Sequence, residues 1–452
     1  MKFNISFILA LYTAGLSAVA QPLEGLYRIT PWAQNKNAAA CITFDDNCPG
    51  QFDYALPQLN QRNLKATFFI ITGGSQCGLV NWAKVDSAHT DGHEIGSHSV
   101  THIQMTNSDS LTIENELGNS YQTLRQRYYP QGWKMTIAYP FGRGGGSSAQ
   151  DKKIRRLAEK YYYGGRSAGI GASGFTGYND YTNPFYNSFY LQLGTYVMGP
   201  GNLPTAARLS EILDSTIKKG GLFTGLYHGI ENGGFNNLPI STFQEHLDSM
   251  VARKKNVWIT PFGSAIKYHT ERRAEPKLAA GSLTSFGPNM FYIDLKLTDT
   301  LSGPWFDEPL TIRMVRNPFI DLSGIDSLSE AVTNVVFESD TIQFDLRPGD
   351  SARAFITFVS NNKLVSENEN FTVFPNPFQN SFTINFRNSL INLENYKFRI
   401  LDLNGRLVEI CENWVKTKNE IAIKPVIDLN SGNYILEVYD KNKTWRKRIT
   451  KY

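Results

Sequence analysis

From about residue 38 to residue 268, stretches with the period of a strand alternate with stretches with the period of a helix. Repeated β-then-α units constrain a chain strongly, because parallel neighbours need a crossover between them; the expectation is a parallel sheet or barrel covered by helices. "AAACITF" reads as a strand, "QFDYALPQLNQRN" as a helix and "KATFFIIT" as the next strand. Ile154, Leu157, Ala158 and Tyr161 recur at helical spacing, as do Leu209, Ile212, Leu213 and Ile217; the second of these helices stops at Gly220 and Gly221, before the strand "LFTGLYH". Ser241 to Gln244 reads as a capping box opening a helix with Phe243, Leu247, Met250 and Val251 on one face, and "VWIT" follows as a strand.

In such folds functional groups gather at the carboxyl ends of the strands. The first strand ends in Asp45 and Asp46. Two adjacent carboxylates repel and lose hydration at the rim of a core unless a cation or a proton compensates. Partners for a cation occur in "DGHEIGSHSVTH", where His98 and His102 are four apart. At that spacing both imidazoles project from one face of a helical turn, which Ser97 or Ser99 helps to open. Two histidines and one carboxylate suit Zn²⁺ or another divalent transition metal and leave positions for water and substrate. A histidine pair alone more often marks a polar helix face; the paired aspartates shift the balance toward a metal. His93 reads as a packing or capping residue. "IAYPFGRGGG" places Pro140, Phe141 and Gly142 in a tight turn whose backbone N–H groups can face a developing oxyanion. His228, at the end of "LFTGLYH", is a candidate acid or base.

Of the 452 residues 41% are hydrophobic and 19% charged, and the formal charge of +4 is spread without long basic runs, which argues against a dedicated nucleic-acid binder. Residues 1–20 have Lys2, an apolar run from about Ile5 to Leu16, and Ala18-Val19-Ala20, the form of a secretory signal with an A-x-A cleavage site. No later stretch reaches the roughly 18 apolar residues of a membrane span, and no cysteine follows the cleavage site for lipidation, so a soluble, exported, monomeric protein is expected. Export allows Cys41, Cys48, Cys77 and Cys411 to pair. Cys48 and Cys77 each follow a predicted strand, and either a disulfide between them or four unpaired thiols fits; Cys41 reads as a small buried hydrophobe. After "ERRAEPK", residues 277–362 alternate with period two, as an antiparallel sandwich does. Its aromatic residues Phe291, Tyr292, Trp305 and Phe306 read as core more readily than as sugar platforms. The polar stretch "NNKLVSENEN" then leads to a second β segment from residue 371.

The phrases "TFDD", "HSVTH", "AYPFG" and "LYH", in this order, resemble the motifs of the polysaccharide deacetylase family, also called the NodB homology domain or carbohydrate esterase family four, over roughly residues 35 to 268. The resemblance implies a distorted β/α barrel, here residues 21–272; the β segments after it, at 277–362 and 371–452, read as two small all-β sandwiches. It implies a divalent metal, usually zinc with cobalt as an alternative, held by Asp46, His98 and His102. Asp45 matches the general base, His228 the acid that protonates the leaving group, and the turn at Pro140, Phe141 and Gly142 the oxyanion site. Many members carry an arginine where this chain has Ala138; Arg166, at the end of the next predicted strand, is the candidate replacement.

The C-terminal phrases "FPNPF", "ILDLNGRLV" and "DLNSGNYILEVYD", with the basic end "TWRKRITKY", are similar to the type A sorting domain of the type IX secretion system of Bacteroidetes-type bacteria. That implies export across both membranes, with the secretion machinery as a partner. The function so implied is hydrolysis of N-acetyl groups on a chitin- or peptidoglycan-type glycan. Alternatives are O-deacetylation of xylan or another plant or algal polysaccharide, and a non-catalytic glycan-binding surface protein.

Overall fold

The computed structural model describes residues 21–22, 27–74, 77–168, 196–198, 205–281, 284–287, 290–315, 321–327, 332–338, 341–357, 371–386, 396–402, 407–417, 420–439 and 444–451. The secretory-signal reading of residues 1–20 and the polar stretch at 361–370 lie outside them. In chain order the first strands are β1 (Gln21–Pro22) and β2 (Tyr27–Ile29). They are followed by β3 (Ala38–Phe44), β4 (Thr67–Ile70), β5 (Glu94–Ser97), β6 (Met135–Ala138), β7 (Tyr162–Arg166), β8 (Tyr196–Val197), β9 (Leu222–Tyr227) and β10 (Val257–Ile259). Strands β3 to β10 form one parallel sheet in the order β7-β6-β5-β4-β3-β9-β8. Strand β10 joins it out of line, on β3.

Strand β3 explains the distortion. One edge pairs with β9 from Ala39 to Phe44, while the other is divided: Ala38–Ala40 pair with β10 and only Thr43–Phe44 with β4. The sheet therefore forks at its centre, and the carboxyl end of β3 is shared by β4 and β9. Alternation along β3 sends Ala38, Ala40, Ile42 and Phe44 to one core and Ala39 and Cys41 to another.

The helices are α1 (Leu56–Gln61), α2 (Trp82–Thr90), α3 (Ser110–Tyr128), α4 (Ala149–Ala158), α5 (Ala206–Lys219), α6 (Ile240–Val251) and α7 (Phe262–Arg273). Gly220, with φ 71°, ends α5 in the left-handed conformation that glycine adopts without strain. At α6 the capping-box expectation gives way. Pro239 stands at the N-cap, Ser241 is already inside the helix, and the first free N–H, that of Ile240, is accepted by the Glu231 carboxylate.

Helix α7 lies between the parallel sheet and an antiparallel sandwich. Phe262, Ala265, Ile266 and Tyr268 share one continuous core with Leu295, Leu297, Ile312 and Phe344. The sandwich has a six-stranded and a four-stranded sheet, and β1 and β2 belong to it: β1 pairs with Lys277–Ala280 and β2 with Leu310–Val315. The start of the described chain thus pairs in the sandwich rather than with the helix-covered sheet. Phe306 packs against Tyr163 of β7 and Lys134 lies over the Trp305 ring, so these aromatics make the contact between the two layers. The side chain of Phe291 lies outside the described residues. A further pair of four-stranded sheets, Phe371 to Lys451, encloses a separate core built on Phe382, Ile384, Ile400 and Leu436.

Glu271 on α7 is fully buried at this junction. Its Oε1 accepts the Glu308 N–H, and Oε2 has no hydrogen-bond partner. Burial first, and then the nearby carboxylates of Glu308 and Asp299, push its pKa up to about 9, against the backbone hydrogen bond and Lys267. The folded state therefore keeps a proton that an unfolded carboxyl loses above its usual value of 4.5, and stability falls as pH rises from there toward 9. Glu271→Gln, which cannot ionise, should raise stability at pH 8 by about 1–3 kcal/mol and change it little at pH 5. Thermal unfolding at the two pH values checks this; equal shifts at both would remove Glu271 as the source.

Candidate metal centre and catalytic rim

The carboxyl ends of β3, β5, β7 and β9 bring six side chains together. Asp45 and Asp46 follow β3, His98 follows β5, His102 lies on the loop beyond it, Arg166 ends β7 and His228 follows β9. Asp45, Asp46, His98, Arg166 and His228 are all buried. One ligand atom each from Asp46, His98 and His102 lie within 4.8 Å of one another. His98 Nε2 is 3.5 Å from Asp46 Oδ1 and 3.6 Å from Asp45 Oδ2, and His102 Nε2 is 3.5 Å from Asp46 Oδ1. Arg166 Nη2 donates to Asp45 Oδ1, so one aspartate faces the histidines and its neighbour is also gripped from the far side.

The three donors fit a divalent metal by their chemistry. His98 Nδ1 is 2.7 Å from the Ala138 carbonyl, which can only accept; Nδ1 therefore carries a proton, and Nε2, facing the aspartates, is the nitrogen that either donates a proton to them or gives its lone pair to a metal. Burial pushes the His98 imidazole down, but the Asp45 charge and the Asp46 hydrogen bond overcome it and hold it above its ordinary value. The same negative potential that would draw a proton to that ring draws a cation to the site. Burial likewise pushes Asp46 up, and the hydrogen bond from His98 and the charges of the three histidines hold it below the usual carboxylate range. Burial first, then the positive charge of His98, holds His102 down.

The two histidines do not share a helix face. His98 to His102 is a loop in which Ser99 (φ 66°) and His102 (φ 59°) are left-handed. The Ser99 hydroxyl accepts the His102 N–H at 3.0 Å, closing a three-residue turn that points both rings inward. Glu116, buried on α3, accepts from the Val100 and Thr101 N–H groups, each at 2.9 Å, and from the Thr101 hydroxyl at 2.6 Å. Asp46 (φ 76°), Asn47 (φ 54°) and Phe141 (φ 56°) are also left-handed. A non-glycine residue there costs about 1–3 kcal/mol, so the rim is strained and its neighbours must hold it. Asn47 does so by exchanging two hydrogen bonds with Ile71, and Gln51 by donating to both the Asp45 and the His228 carbonyls. None of Gln51, Asn47 and Glu116 was singled out from the sequence. The available signal was Glu116 itself, a charge on the apolar stripe of Ile113, Leu117 and Leu124.

In the turn at Pro140, Phe141 and Gly142, proline has no N–H and that of Gly142 is committed to the Tyr139 carbonyl. Phe141 is left as the donor this turn can offer, a narrower result than a turn with several free N–H groups. The exposed Phe141 ring packs on His102, and the exposed Phe235 ring on His228. His228 Nδ1 is buried without a hydrogen-bond partner, and burial holds its pKa below the ordinary value against the pull of Asp45 and Asp46. His93 stands apart from the rim: its Nδ1 accepts the Ala66 N–H, and burial, then Lys65, pushes its pKa down to about 4. Cys48 and Cys77 are joined by a disulfide beside the Asp45–Asp46 loop, and Cys41 and Cys411 are free and buried.

Residues 33–163 match the family "Polysaccharide deacetylase" and residues 372–451 the family "Secretion system C-terminal sorting domain". Among curated proteins, a gellan lyase of a Bacillus species is 24% identical over 315 residues, covering 64% of this chain and 11% of its own length. The peptidoglycan-N-acetylglucosamine deacetylase PgdA of Listeria monocytogenes is 30% identical over 113 residues, covering 24% of this chain and 22% of its own length. The chain thus spans less than a quarter of either relative. Among solved structures, the peptidoglycan deacetylase PdaC of Bacillus subtilis aligns with a TM-score of 0.34 and 14% identity, over 54% of this chain and 95% of that one. No helix among the described residues is long and apolar enough to cross a membrane.

Proposed function

Because the chain carries a polysaccharide deacetylase domain and a C-terminal sorting domain, we propose that it is an exported, metal-dependent deacetylase that hydrolyses N-acetyl groups of a chitin- or peptidoglycan-type glycan. The observation that carries this reading is the cluster of Asp46, His98 and His102 beside Asp45, whose carboxylate is held by Arg166. The relative named as a peptidoglycan-N-acetylglucosamine deacetylase supports an amide rather than an ester as the bond cleaved.

Asp46, His98 and His102 would hold the metal, zinc by donor type. When bound there, a divalent metal supplies Lewis acidity toward a water and the acetyl carbonyl. Asp45, fixed by Arg166, takes the proton of the water that attacks the acetyl carbon. The Phe141 N–H would donate to the oxygen that becomes negative. As the carbon–nitrogen bond breaks, the nitrogen needs a proton, and His228, across the rim from Arg166, is assigned to give it. Burial lowers its pKa against the pull of both aspartates, so the protonated ring is a stronger acid than an ordinary imidazolium. The products are acetate and a free amine.

Acetate release from N-acetylated and O-acetylated oligosaccharides tests the reading. Release from the N-acetylated series should be abolished by a chelator and restored by Zn²⁺ or Co²⁺. Full activity after exhaustive chelation would remove the metal, and release from O-acetyl substrates alone would replace the amide by an ester. The sorting reading has its own check. The core of residues 371–451 is separate from those of the rest of the chain. A chain ending at Asn370 should therefore keep its activity and accumulate in the periplasm of the native host; normal secretion would overturn the assignment.

A further inference from the structure

Among the described residues between 38 and 268, four large apolar side chains stand exposed: Leu79, Leu111, Phe141 and Phe235. Leu111 is on α3; the other three are on the segments that follow β4, β6 and β9, at the carboxyl end of the sheet where the rim lies. Single exposed apolar residues are ordinary on a protein surface, but three of four at the end that holds the site are not scattered. Phe235 has no part in metal binding or proton transfer, yet it is 64% exposed and its ring meets that of the candidate acid His228 at 86°, with 5.1 Å between centroids. The loop that carries it is closely held. The Gly229 N–H donates to the Phe235 carbonyl at 3.1 Å, the Leu238 N–H to the Gly229 carbonyl at 3.0 Å, and the Glu231 N–H to the Leu238 carbonyl at 2.8 Å. The Asn232 side chain donates to the Tyr54 hydroxyl, just before α1, at 2.6 Å. Gly234 has φ 99°, and a Cβ there would lie 2.8 Å from Cys48 Sγ, so glycine lets the chain pass over the Cys48–Cys77 disulfide directly before Phe235. The phenyl ring is thus fixed in place and left largely in water, which favours a ligand because little freedom remains to be lost on binding.

We propose that Phe235 is the platform for the pyranose whose acetamide is cleaved, and so selects a sugar over a small acetamide as substrate; the inference rests on the deacetylase reading. When a sugar acetamide is hydrolysed, the sugar amine is the leaving group, and the acid that protonates its nitrogen must lie within hydrogen-bond reach of it. The pyranose begins one bond beyond that nitrogen. With His228 as the acid, the sugar is therefore brought to the side of the rim where Phe235 stands. A pyranose with equatorial substituents, as in N-acetylglucosamine, has axial C–H groups on both faces and can lay an apolar face on a phenyl ring.

The test is isothermal titration of chitotetraose, the β-linked N-acetylglucosamine tetramer, into the zinc-loaded full chain carrying Asp45→Asn, with and without a change at Phe235. Phe235→Ala should weaken binding about tenfold, Phe235→Leu nearly as much because it keeps apolar volume but no flat ring, and Phe235→Trp little. In the active chain, Phe235→Ala should raise KM by a similar factor and lower kcat less. The Leu variant, which still fills the space beside His228, keeps the proposal testable if the Ala variant does not fold. Binding by the Leu variant as tight as that of the parent would overturn the platform, whether or not acetate is released. So would a fall in kcat with KM and binding unchanged, which would leave Phe235 as a support for His228. A chain that binds chitotetraose through Phe235 but releases no acetate from any substrate would keep the platform and lose the deacetylase. Acetate release with binding indifferent to Phe235 would do the reverse.

Discussion

Asp45→Asn is expected to lower kcat by about 10²–10⁴-fold, the range that a positioned general base contributes, while zinc binds with unchanged stoichiometry. The substitution keeps the shape of the side chain and its hydrogen bond to Arg166 through the amide oxygen, and removes the basic oxygen that faces His98. Asp46, His98 and His102 remain as ligands. Metal content by elemental analysis, with kcat on an N-acetylated oligosaccharide, separates the two effects. A variant within tenfold of the wild type would mean that another group takes the proton.

Arg166→Met should cost both rate and stability. The guanidinium is fully buried, lies over the Phe69 ring with 4.6 Å to its centroid, and contacts Asp45. Removing one partner of a buried pair leaves the other without compensation and costs about 3–5 kcal/mol. The lost grip on Asp45 should lower kcat about tenfold or more with little change in KM, because the base acts on the water rather than on substrate binding. Arg166→Lys should recover part of the stability but less of the rate, since an ammonium is a point charge that does not fix a carboxylate's orientation. Unchanged kcat in the Met variant, with metal intact, would make Arg166 only a structural ion-pair partner.

The alternation of strand and helix was legible because each unit carries its own period, and with it the rim positions of Asp45, Asp46, His228 and Arg166, all at or just past strand ends. His98 and His102 were legible as neighbours but not in the conformation that makes them so. Four-residue spacing suggests a helix, whereas the chain turns through the left-handed Ser99 and His102 and is secured by Glu116, a residue on a distant helix. Gln51 and Asn47 escaped notice for the same reason: their hydrogen bonds reach to β4 and to the end of β9. The capping box failed because Pro239 starts α6 earlier than the serine does. Strands β1 and β2 were out of reach of any pattern, being two and three residues long.

Those two short strands set a condition on how the chain acquires its shape. Ile29 pairs with Ile312 and Gln21 with Ala280, so the first described residues have no partners until the chain has been made far beyond the last strand of the parallel sheet. Folding cannot simply follow synthesis. The four-stranded sheet of the sandwich stays open at one edge until a segment emerging early returns to it, and contacts of such sequence separation form late because a large loop must close first. During that interval an unpaired edge, made of residues 310–315, is exposed to any other chain nearby. A cut between residues 272 and 277 would make the gap permanent, stranding β1 and β2 on one fragment and the sheets they complete on the other.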